Sequence, residues 1–448
     1  MQIEMPRKVE SIIETLSSCG YEAYAVGGCV RDTILGRIPD DWDITTSARP
    51  EEVKKIFGRT VDTGLVHGTV TVMIGKEGFE VTTYRIDGAY EDNRHPLEVT
   101  FTPSLKEDLK RRDFTINAMA YNHRDGLIDI FDGMGDLEKK RIRCVGEPLE
   151  RFQEDALRML RAVRFSAQLG FSIESRTREG VKLLAPNLKA ISAERIQTEL
   201  VKLIVSDHPE MLGEAFSTGM TKQFLPEFDS MMGTDQNNPH HKYSVGEHVL
   251  KSMEYVENNK VLRLTMLLHD VGKPLVKTTD EEGIDHFKTH NAVGEKLAGE
   301  ILRRLKFDND TIAKVSRLVK WHDYWVQPKY RAVRRAVNKV GEELYPYLLK
   351  VQRADALAQS NYQQEEKLRR LDEVEEMYRH IIEEKQCVSL KDLAVSGRDL
   401  IQCGMKPGRA IGEELNRLLE LVLEEPEKND RDFLLQVMKE DLKRDRSN

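Results

Sequence analysis

The sequence of 448 residues has little cysteine, and the spacing of its cysteines excludes two classes of protein. A disulfide framework needs paired cysteines, and a thiolate zinc site needs two of them close together. The five present are scattered, odd in number and without C-x-x-C spacing: Cys19, Cys29, Cys144, Cys387 and Cys403. We therefore expect reduced, mostly structural thiols.

Long apolar runs are also missing. No stretch approaches the ~20 apolar residues that a membrane-spanning helix needs. The opening "MQIEMPRKVESII" has no apolar core of the kind that secretory signals carry. With 40% hydrophobic and 32% charged residues, the composition is typical of a helix-rich globular protein, and we expect it in the cytoplasm.

An excess of positive charge is absent as well. The formal net charge of −8 argues against a protein that coats nucleic acid indiscriminately. Basic residues nevertheless cluster in "KEDLKRRDF", "LEKKRIR" and "KYRAVRRAVNK". The net charge is therefore still compatible with a specific groove for RNA or a nucleotide on an otherwise acidic protein.

The spacing of apolar residues differs between the first part of the chain and the rest. The first ~140 residues hold short β-like runs such as "YEAYAV", "DWDITT", "GTVTVMI" and "FEVTTYRI", broken by Gly and Pro. From Leu149 onward apolar residues recur at spacings of three and four, as in "AERIQTELVKLIV". The pattern predicts an α+β head, with a mixed β-sheet and helices, followed by an all-α remainder.

The segment "YEAYAVGGCVRDTILG" predicts a strand, a turn at Gly27 and Gly28, and a helix that ends at Gly36. Glycines let a backbone approach a ligand closely, and a helix N-terminus favours phosphate. The segment is not a P-loop, and a plain tight turn is the alternative.

Two aspartates follow in "DDWDIT". Asp41 and Asp43 are two apart, so on a strand both carboxylates point the same way and repel each other. Mg²⁺ satisfies such a pair together with triphosphate oxygens, and Glu80 in "FEVTTYR" is a candidate third carboxylate. The alternative is a solvated edge strand whose charges discourage aggregation.

Seven segments together resemble a known family. "VGGCVRD", "DDWDIT", "EVTTYR", "DLKRRDFTINAMAYN", "IFDGMGDL", "EDALRMLRAVRF" and "ISAERIQTEL" occur in the order typical of class II CCA-adding tRNA nucleotidyltransferases, a branch of the DNA polymerase β-type superfamily. The resemblance covers roughly residues 20 to 205. It implies CTP and ATP as substrates, tRNA as acceptor, Mg²⁺ as cofactor, no nucleic-acid template and catalysis by Asp41, Asp43 and Glu80.

The resemblance also implies a nucleotide site. Arg111 and Arg112 can neutralise phosphate, and Asp113 can accept a hydrogen bond from a ribose hydroxyl. The nucleotide-binding positions are Gly27, Gly28, Arg31, Arg111, Arg112, Asp113, Asn117, Glu154, Asp155, Arg158, Arg161 and Arg164.

On a continuous helix, "EDALRMLRAVRF" would place Glu154, Asp155 and Arg158 on one face. By itself this indicates a solvated ion pair. Beside a bound nucleotide, however, Asp155 can accept from the amino group of cytosine or adenine while Arg158 donates to the ring nitrogen. Uracil and guanine invert both patterns, so they are rejected. We expect Glu154 to orient Arg158.

The loop from Asp87 to Phe101 stands where the family has its flexible loop. CC-adding relatives lack part of this loop, so its presence favours addition of the complete CCA. An ordinary surface loop is the alternative.

A second constellation lies further on. The order of His248, "LLHDVGK" with His269 and Asp270, and Asp355 resembles the HD phosphohydrolase superfamily over roughly residues 239 to 358. The resemblance implies that these four residues bind a divalent metal of unknown identity, and His290 and His322 are candidates for a second metal or a phosphate contact. Two functions of this domain are compatible with the sequence: a hydrolase of phosphoesters, or an inactive scaffold that binds tRNA.

Four domains are predicted: a catalytic head over 1–138, a helical neck with the base-recognition helix over 139–235, an HD domain over 236–375 and a helical tail over 376–448. Turns near Arg398, Lys406 and Arg409 in the tail could contact tRNA phosphates, although a packing module fits equally. The alternatives in function are a bacterial poly(A) polymerase, a CC- or A-adding enzyme of the same family, and an HD phosphohydrolase with an RNA-binding head.

Overall fold

The computed structural model describes residues 2–88, 99–240 and 242–445. The chain divides into a first unit, Met1–Pro226, and a second unit, Glu227–Asn448. In the part of the chain described, no helix combines the length and the apolar character needed to cross a bilayer.

The first unit is built on a seven-stranded mixed sheet, in the order β3-β4-β5-β2-β1-β8-β9. Its strands are β1 (Ala23–Val26), β2 (Ile44–Thr46), β3 (Thr60–Gly64), β4 (Thr69–Ile74), β5 (Glu77–Thr83), β6 (Arg85–Asp87), β7 (Val99–Phe101), β8 (Met119–Asn122), β9 (Gly126–Asp129), β10 (Arg141–Ile142) and β11 (Ser172–Ile173). The strands β6 and β7 form a separate antiparallel pair, and β10 and β11 form a parallel one.

The helices of the first unit are α1 (Arg7–Ser18), α2 (Gly28–Ile34), α3 (Pro50–Ile56), α4 (Leu105–Lys110), α5 (Gly133–Glu138), α6 (Pro148–Glu154), α7 (Leu157–Leu169), α8 (Ser175–Leu184), α9 (Ala193–Ile204), α10 (Leu212–Ser217) and α11 (Thr221–Phe224). A short helix, α12 (Pro226–Met232), follows at the boundary between the units.

The middle of the sheet is covered on both faces. Every residue of β1, β2 and β8 is buried, whereas β4 alternates between buried and partly exposed positions. Apolar side chains at three- and four-residue spacing in α1, from Val9 to Leu16, are buried too. The central strands therefore form a rigid base for the residues at their ends.

Among its described residues, the regular structure of the second unit is helical apart from two strands of two residues each, β12 (Thr278–Thr279) and β13 (Asp285–His286). Its helices are α13 (Val245–Glu254), α14 (Lys260–Leu268), α15 (Lys273–Val276), α16 (His290–Arg304), α17 (Asn309–Trp321), α18 (Tyr330–Val340), α19 (Tyr345–Ala358), α20 (Gln364–Glu383), α21 (Gly397–Gln402), α22 (Arg409–Glu424) and α23 (Arg431–Asp445). The predicted α+β head and helical remainder are confirmed.

A buried arginine joins α18 to the end of α22. Arg334 is 4% exposed, and its Nε and Nη2 donate to the carbonyl oxygens of Leu423 and Glu424 at 2.8 and 3.0 Å. Its Nη1 donates to Gln386 at 2.9 Å. The last carbonyls of a helix have no partner within the helix and carry partial negative charge, so a cation there satisfies both needs.

We predict that Arg334→Met lowers the free energy of unfolding of the second unit by about 2–4 kcal/mol, because two carbonyls at the end of α22 lose a charged donor. Arg331→Met on the same helix is the matched control, since the Arg331–Glu424 ion pair is exposed and its loss costs less than about 1 kcal/mol. Thermal unfolding, with hydrogen exchange of 409–424, measures both. Equal effects of the two substitutions would contradict the prediction.

Candidate active site and metal centre

Three carboxylates predicted to be catalytic line one cleft of the first unit. Asp41, Asp43 and Glu80 border an open cavity of about 1140 Å³, together with residues from Glu4 to Pro6 and from Arg37 to Asp40. All three carboxylate residues are exposed to solvent. The three carboxylates thus face solvent in one open cleft.

The strand predicted to carry both aspartates begins later than expected. Strand β2 starts at Ile44, so Asp41 and Asp43 lie immediately before it, although the carbonyl of Asp43 still accepts from the amide of Val26 at 3.0 Å. Ile44 pairs with Val81 in parallel register, which places Asp43 beside Glu80 on β5. The sheet therefore brings the third carboxylate to the pair, as expected.

Like charges are crowded in this cleft. Desolvation, followed by repulsion from Asp41 and to a smaller extent from Glu80, raises the pKa of Asp43 to about 6, while Arg112 lowers it. Carboxylate oxygens that repel one another are the donor set that Mg²⁺ prefers. The residues fit a divalent cation, and Asp41 and Asp43 are its candidate ligands.

The predicted turn before α2 packs against Arg112. Gly27 has a φ of 86°, in the left-handed region, and a Cβ at this position would lie 3.2 Å from the Nη1 of Arg112. The backbone angle therefore favours glycine, and a larger residue would also crowd Arg112, whose guanidinium would have to shift. Gly28 begins α2, and this helix ends at Ile34, two residues before the predicted end at Gly36.

A chain of hydrogen bonds joins four of the predicted nucleotide-binding residues. Arg31 is buried and donates to Asn117 at 2.6 Å, and Asn117 donates to Asp113 at 3.2 Å. Arg161 reaches the other oxygen of Asp113 at 2.6 Å. Burial alone would raise the pKa of Asp113, but Arg161 and Asn117 hold it well below its ordinary value. Asp113 is therefore an ionised acceptor.

The two arginines before Asp113 share one buried carboxylate. Arg111 pairs with Asp108 at 2.8 Å and Arg112 pairs with the second oxygen at 3.4 Å, while Thr45 of β2 donates to the same group. Asp108 is fully buried. It was not among the predicted site residues, although its spacing of three and four from the arginines is visible in the sequence.

The helix predicted over Glu154–Phe165 is wrong in one respect, because it is interrupted at Asp155. Helix α6 ends at Glu154, Asp155 has an extended backbone with φ −140° and ψ 104°, and α7 starts at Leu157. The Oδ1 of Asp155 accepts from the amide of Leu157 at 3.0 Å and so caps the new helix. The capping preference of aspartate outweighs helix continuity here.

Glu154 holds Arg158, as predicted. Its Oε2 accepts from Arg158 Nη1 at 2.6 Å, and its Oε1 pairs with Arg151. Arg158 Nη2 also donates to the carbonyl of Arg111 at 3.0 Å. The guanidinium is thereby attached to the same segment that carries Asp113.

Asp155 and Arg164 take partners that were not predicted from the sequence. Both partners lie on α9: Arg195 donates to Asp155 at 2.7 Å, and Glu199 accepts from Arg164 at 2.8 Å. Glu199 also lies 3.8 Å from Arg161. No local pattern predicts these pairs, because 40 and 35 residues of chain separate the partners.

The second unit collects the predicted His and Asp residues in one place. The Nε2 of His248 on α13 lies 2.8 Å from Asp355 on α19 and 3.3 Å from His269. His269 and Asp270 directly follow α14 rather than lying within it. Asp270 Oδ2 is 3.4 Å from His269 and 3.8 Å from His248, which completes a compact set of the four predicted ligands.

His290 and His322 form an adjoining set with the same aspartate. Their Nε2 atoms are 3.1 Å apart, and each lies 3.7 Å from Asp270 Oδ1. The approach depends on Gly272, because a Cβ there would overlap the carbonyl oxygen of His290. Asp270 therefore presents one oxygen to each set.

Three of the imidazoles are oriented in the same way. The Nδ1–H of His269, His290 and His322 donates to the carbonyl three residues earlier, at 2.8, 2.8 and 2.7 Å. This bond leaves Nε2 facing the cluster with its lone pair. Lone pairs that face each other at about 3 Å repel unless a proton or a metal cation lies between them.

Charge in the cluster also favours a cation. Burial alone would raise the pKa of Asp270, but Lys273 at 2.7 Å and His269 lower it well below the ordinary value. Burial opposes protonation of His269, yet Asp270 and Asp355 raise its pKa to about 10. Two buried carboxylates thus attract positive charge, and a divalent ion fits this donor set.

For the predicted flexible loop and the predicted tRNA-binding tail, the structure shows only where some of the residues lie. The ends of the predicted flexible loop pair, with Asp87 opposite Val99, while residues 89–98 lie outside the described residues. Arg398, Lys406 and Arg409 of the tail are all exposed. Neither observation tests the role of the loop or of the tail.

Models of protein families match three parts of the chain. Residues 23–143 match "Poly A polymerase head domain", residues 170–232 match "Probable RNA and SrmB- binding site of polymerase A", and residues 277–438 match "tRNA nucleotidyltransferase domain 2". None of these three descriptions names a phosphohydrolase, so the interpretation of the histidine cluster depends on its geometry.

Similar proteins cover nearly the whole chain. A CCA-adding enzyme of Limosilactobacillus reuteri is 36% identical over 440 residues, 96% of this chain and 95% of that protein. One of Levilactobacillus brevis is 37% identical over 426 residues, 93% of this chain and 94% of that protein.

Solved structures agree with these relatives. The Bacillus stearothermophilus CCA-adding enzyme in complex with CTP has a TM-score of 0.75 at 29% identity and covers 99% of this chain and 100% of its own. The Thermotoga maritima CCA-adding enzyme complexed with tRNA, at 21% identity and a TM-score of 0.60, covers 99% and 100% and supports the fold. The chain belongs to the class II CCA-adding enzymes of the poly(A) polymerase family.

Proposed function

We propose that the protein adds or repairs the 3′-terminal CCA of tRNA, with CTP and ATP as substrates and no nucleic-acid template. The observation that carries the proposal is the separate fixation of Asp155 and Arg158, by Arg195 and by Glu154. A carboxylate and a guanidinium that are three residues apart in the chain and are separately fixed can serve as an acceptor and a donor for the edge of one base. Membership of the CCA-adding family supports the same assignment.

The carboxylates of the cleft are the proposed catalytic group. Asp41 and Asp43 would hold Mg²⁺, with Glu80 as the third carboxylate beside them. Bound Mg²⁺ supplies charge that eases deprotonation of an RNA 3′-hydroxyl and neutralises the triphosphate. Asp41 and Asp43 belong to one short segment anchored on β1, so the sheet keeps their spacing.

Base selection follows from hydrogen-bond polarity. Asp155 accepts from N4 of cytosine or N6 of adenine, and Arg158 donates to N3 or N1. Uracil and guanine present a carbonyl and a ring N–H at these places, so both contacts become repulsive. The change from C to A then needs only a small reorientation, which we assign to the loop between Asp87 and Phe101.

The remaining polar residues serve the sugar and the phosphates. The carboxylate of Asp113 is buried and held ionised by its partner Arg161, which is one-third exposed, and it can accept a hydrogen bond from a ribose hydroxyl. Arg111 and Arg112 are held by Asp108 at the same segment and can neutralise phosphate. Arg31 and Asn117 keep this segment in place through Asp113, whereas Arg164 is joined to it only indirectly, through Glu199 and Arg161.

Product analysis tests the proposal. With tRNA lacking CCA, CTP, ATP and Mg²⁺, we expect the protein to add C, C and a single A and then to stop, as read by sequencing of the 3′ end. A long A tail would support a poly(A) polymerase. Addition of CC alone would contradict the role of the loop.

We predict that Asp43→Asn lowers kcat for addition by roughly a thousandfold, because several kcal/mol of metal-dependent stabilisation is lost. Asp40→Asn is the matched control, since Asp40 lines the same cleft and is exposed, but is not a proposed ligand. Single-turnover extension of labelled tRNA measures both rates. A normal rate for Asp43→Asn would remove Asp43 from the mechanism.

A second activity is favoured by the His/Asp cluster. The two adjoining sets that share Asp270 suit two divalent ions, and the second set, with His290 and His322, opens into a cleft of about 450 Å³. When bound, such ions would lower the pKa of a coordinated water molecule, which could then attack phosphorus. Lys273 and Lys288 also line this cleft and can attract a phosphate. We propose an HD phosphohydrolase that acts on phosphates or 2′,3′-cyclic phosphates at damaged RNA 3′ ends.

We predict that a chain with Asp41→Asn and Asp43→Asn, in which the carboxylate cleft holds no metal, binds two divalent ions after loading with Mn²⁺, Co²⁺ or Ni²⁺, as measured by elemental analysis. Each set has its own histidines and its own oxygen of Asp270. His290→Ala removes one side of the second set and lowers the content to one ion, and His269→Ala abolishes hydrolysis of a 2′,3′-cyclic nucleotide. His380→Ala, an exposed histidine of the same unit, is the control.

CCA addition should survive His269→Ala unchanged, because the carboxylate cleft lies in the first unit and shares no residue with the cluster. A metal content that does not depend on His290 would contradict the assignment of the second set. Loss of CCA addition together with hydrolysis would contradict the independence of the two sites.

A further inference from the structure

The segment "ISAERIQTEL" belongs to the family pattern, but neither catalysis nor the predicted base contact uses it. It forms the start of α9, where Arg195 and Glu199 are four residues apart and so lie on one face of the helix. Each contacts a residue of the nucleotide site: Arg195 pairs with Asp155, and Glu199 pairs with Arg164. The face of α9 is thus directed at the site.

Arg195 completes the fixation of the Asp155 carboxylate. Its Nη2 donates to Oδ2 at 2.7 Å, while the amide of Leu157 donates to Oδ1 at 3.0 Å. A carboxylate oxygen accepts two hydrogen bonds, so each oxygen keeps capacity for a further donor. A carboxylate gripped at both oxygens cannot rotate, and its remaining lone pairs keep one direction.

The other terminal nitrogen of Arg195, Nη1, makes no hydrogen bond to the described residues. Among the described residues its Nη1 is buried and lacks a hydrogen-bond partner. A buried donor without a partner is costly, and an arginine selected for stability alone would use both nitrogens. Arg195 is therefore placed so that Nη2 reaches Asp155, although Nη1 then has no hydrogen-bond partner among the described residues.

Charge balance gives a second reason for an arginine at this position. Asp155 and Arg158 are three residues apart, so their charges attract each other. A carboxylate already neutralised by Arg195 is a weaker partner for Arg158, just as Arg158 is already neutralised by Glu154 at 2.6 Å. Both groups can then turn their remaining hydrogen-bond capacity to a base.

We infer that Arg195 is a positioning residue for base selection: it holds the Asp155 acceptor in the orientation that distinguishes cytosine and adenine from uracil and guanine. The inference rests on the proposed function. Arg195 acts through Asp155 and need not touch the nucleotide. Its loss should therefore weaken discrimination between bases more than it weakens the chemical step.

The test compares Arg195→Met and Arg195→Lys with the intact protein. The readout is kcat/KM for CTP and for UTP on tRNA lacking CCA, and for ATP and GTP on tRNA ending in CC. We expect Arg195→Met to lower the C-over-U and A-over-G ratios roughly tenfold, because one of two base contacts loses its orientation. Arg195→Lys retains the charge and one donor, so it should restore part of both ratios.

Lys202→Met is the matched control, because Lys202 is exposed on the same helix and is not part of the site. It should leave both ratios unchanged. A purely structural role of Arg195 would lower kcat/KM equally for all four nucleotides, and that result would overturn the inference. Unchanged ratios in Arg195→Met would overturn it as well.

Two further measurements keep the outcome unambiguous. Thermal unfolding shows whether Arg195→Met is folded; if it is not, the same ratios in Arg195→Lys decide, and a folded Arg195→Lys with intact discrimination refutes the inference. If the intact protein incorporates no CTP into tRNA, the proposed function fails instead, whatever the variants do.

Discussion

The ion pair between Asp155 and Arg195 links the two parts of the chain that form the proposed nucleotide site. It joins the break between α6 and α7 to the face of α9, and it fixes one half of the proposed base-recognition pair. Arg158, the other half, is fixed by Glu154 and by the carbonyl of Arg111. Arg111 belongs to the segment that carries the proposed phosphate and ribose contacts, so all three kinds of contact are tied to one short stretch of backbone. Pre-organised donors and acceptors of this kind need no rearrangement when the nucleotide binds.

Both proposed sites follow the same electrostatic rule, although the chain builds them differently. In the first unit three carboxylates are brought together, two just before β2 and one within β5, and desolvation together with their repulsion raises the pKa of Asp43. In the second unit five helices, α13, α14, α16, α17 and α19, deliver histidines and aspartates from their ends or faces to a buried cluster. Like charges or facing lone pairs persist in folded proteins when a cation compensates them, which explains why both sites are candidates for divalent metal.

The sequence predicts much of this arrangement where the signal is local. A short apolar run predicts β1, alternating apolar residues predict β4, helical spacing predicts α7 and α9, and the glycine pair predicts the turn before α2. The break at Asp155 is not predictable from periodicity, because the capping preference of one aspartate competes with the helical pattern on both sides. The pairing of Arg195 with Asp155 and of Glu199 with Arg164 is not predictable from the sequence either, since contacts between distant parts of the chain depend on tertiary packing. The sharing of Asp270 by two sets of histidines likewise depends on how α16 and α17 pack.

A structure of the protein with tRNA lacking CCA and bound CTP would show whether Asp155 and Arg158 recognise the edge of the incoming base. We expect N4 of cytosine to donate to the Asp155 carboxylate and N3 to accept from the Arg158 guanidinium, each at about 3 Å, with Arg195 still paired to Asp155. A cytosine whose edge faces other residues, or an Asp155 that has left Arg195 to pair with Arg158, would contradict this mode of recognition.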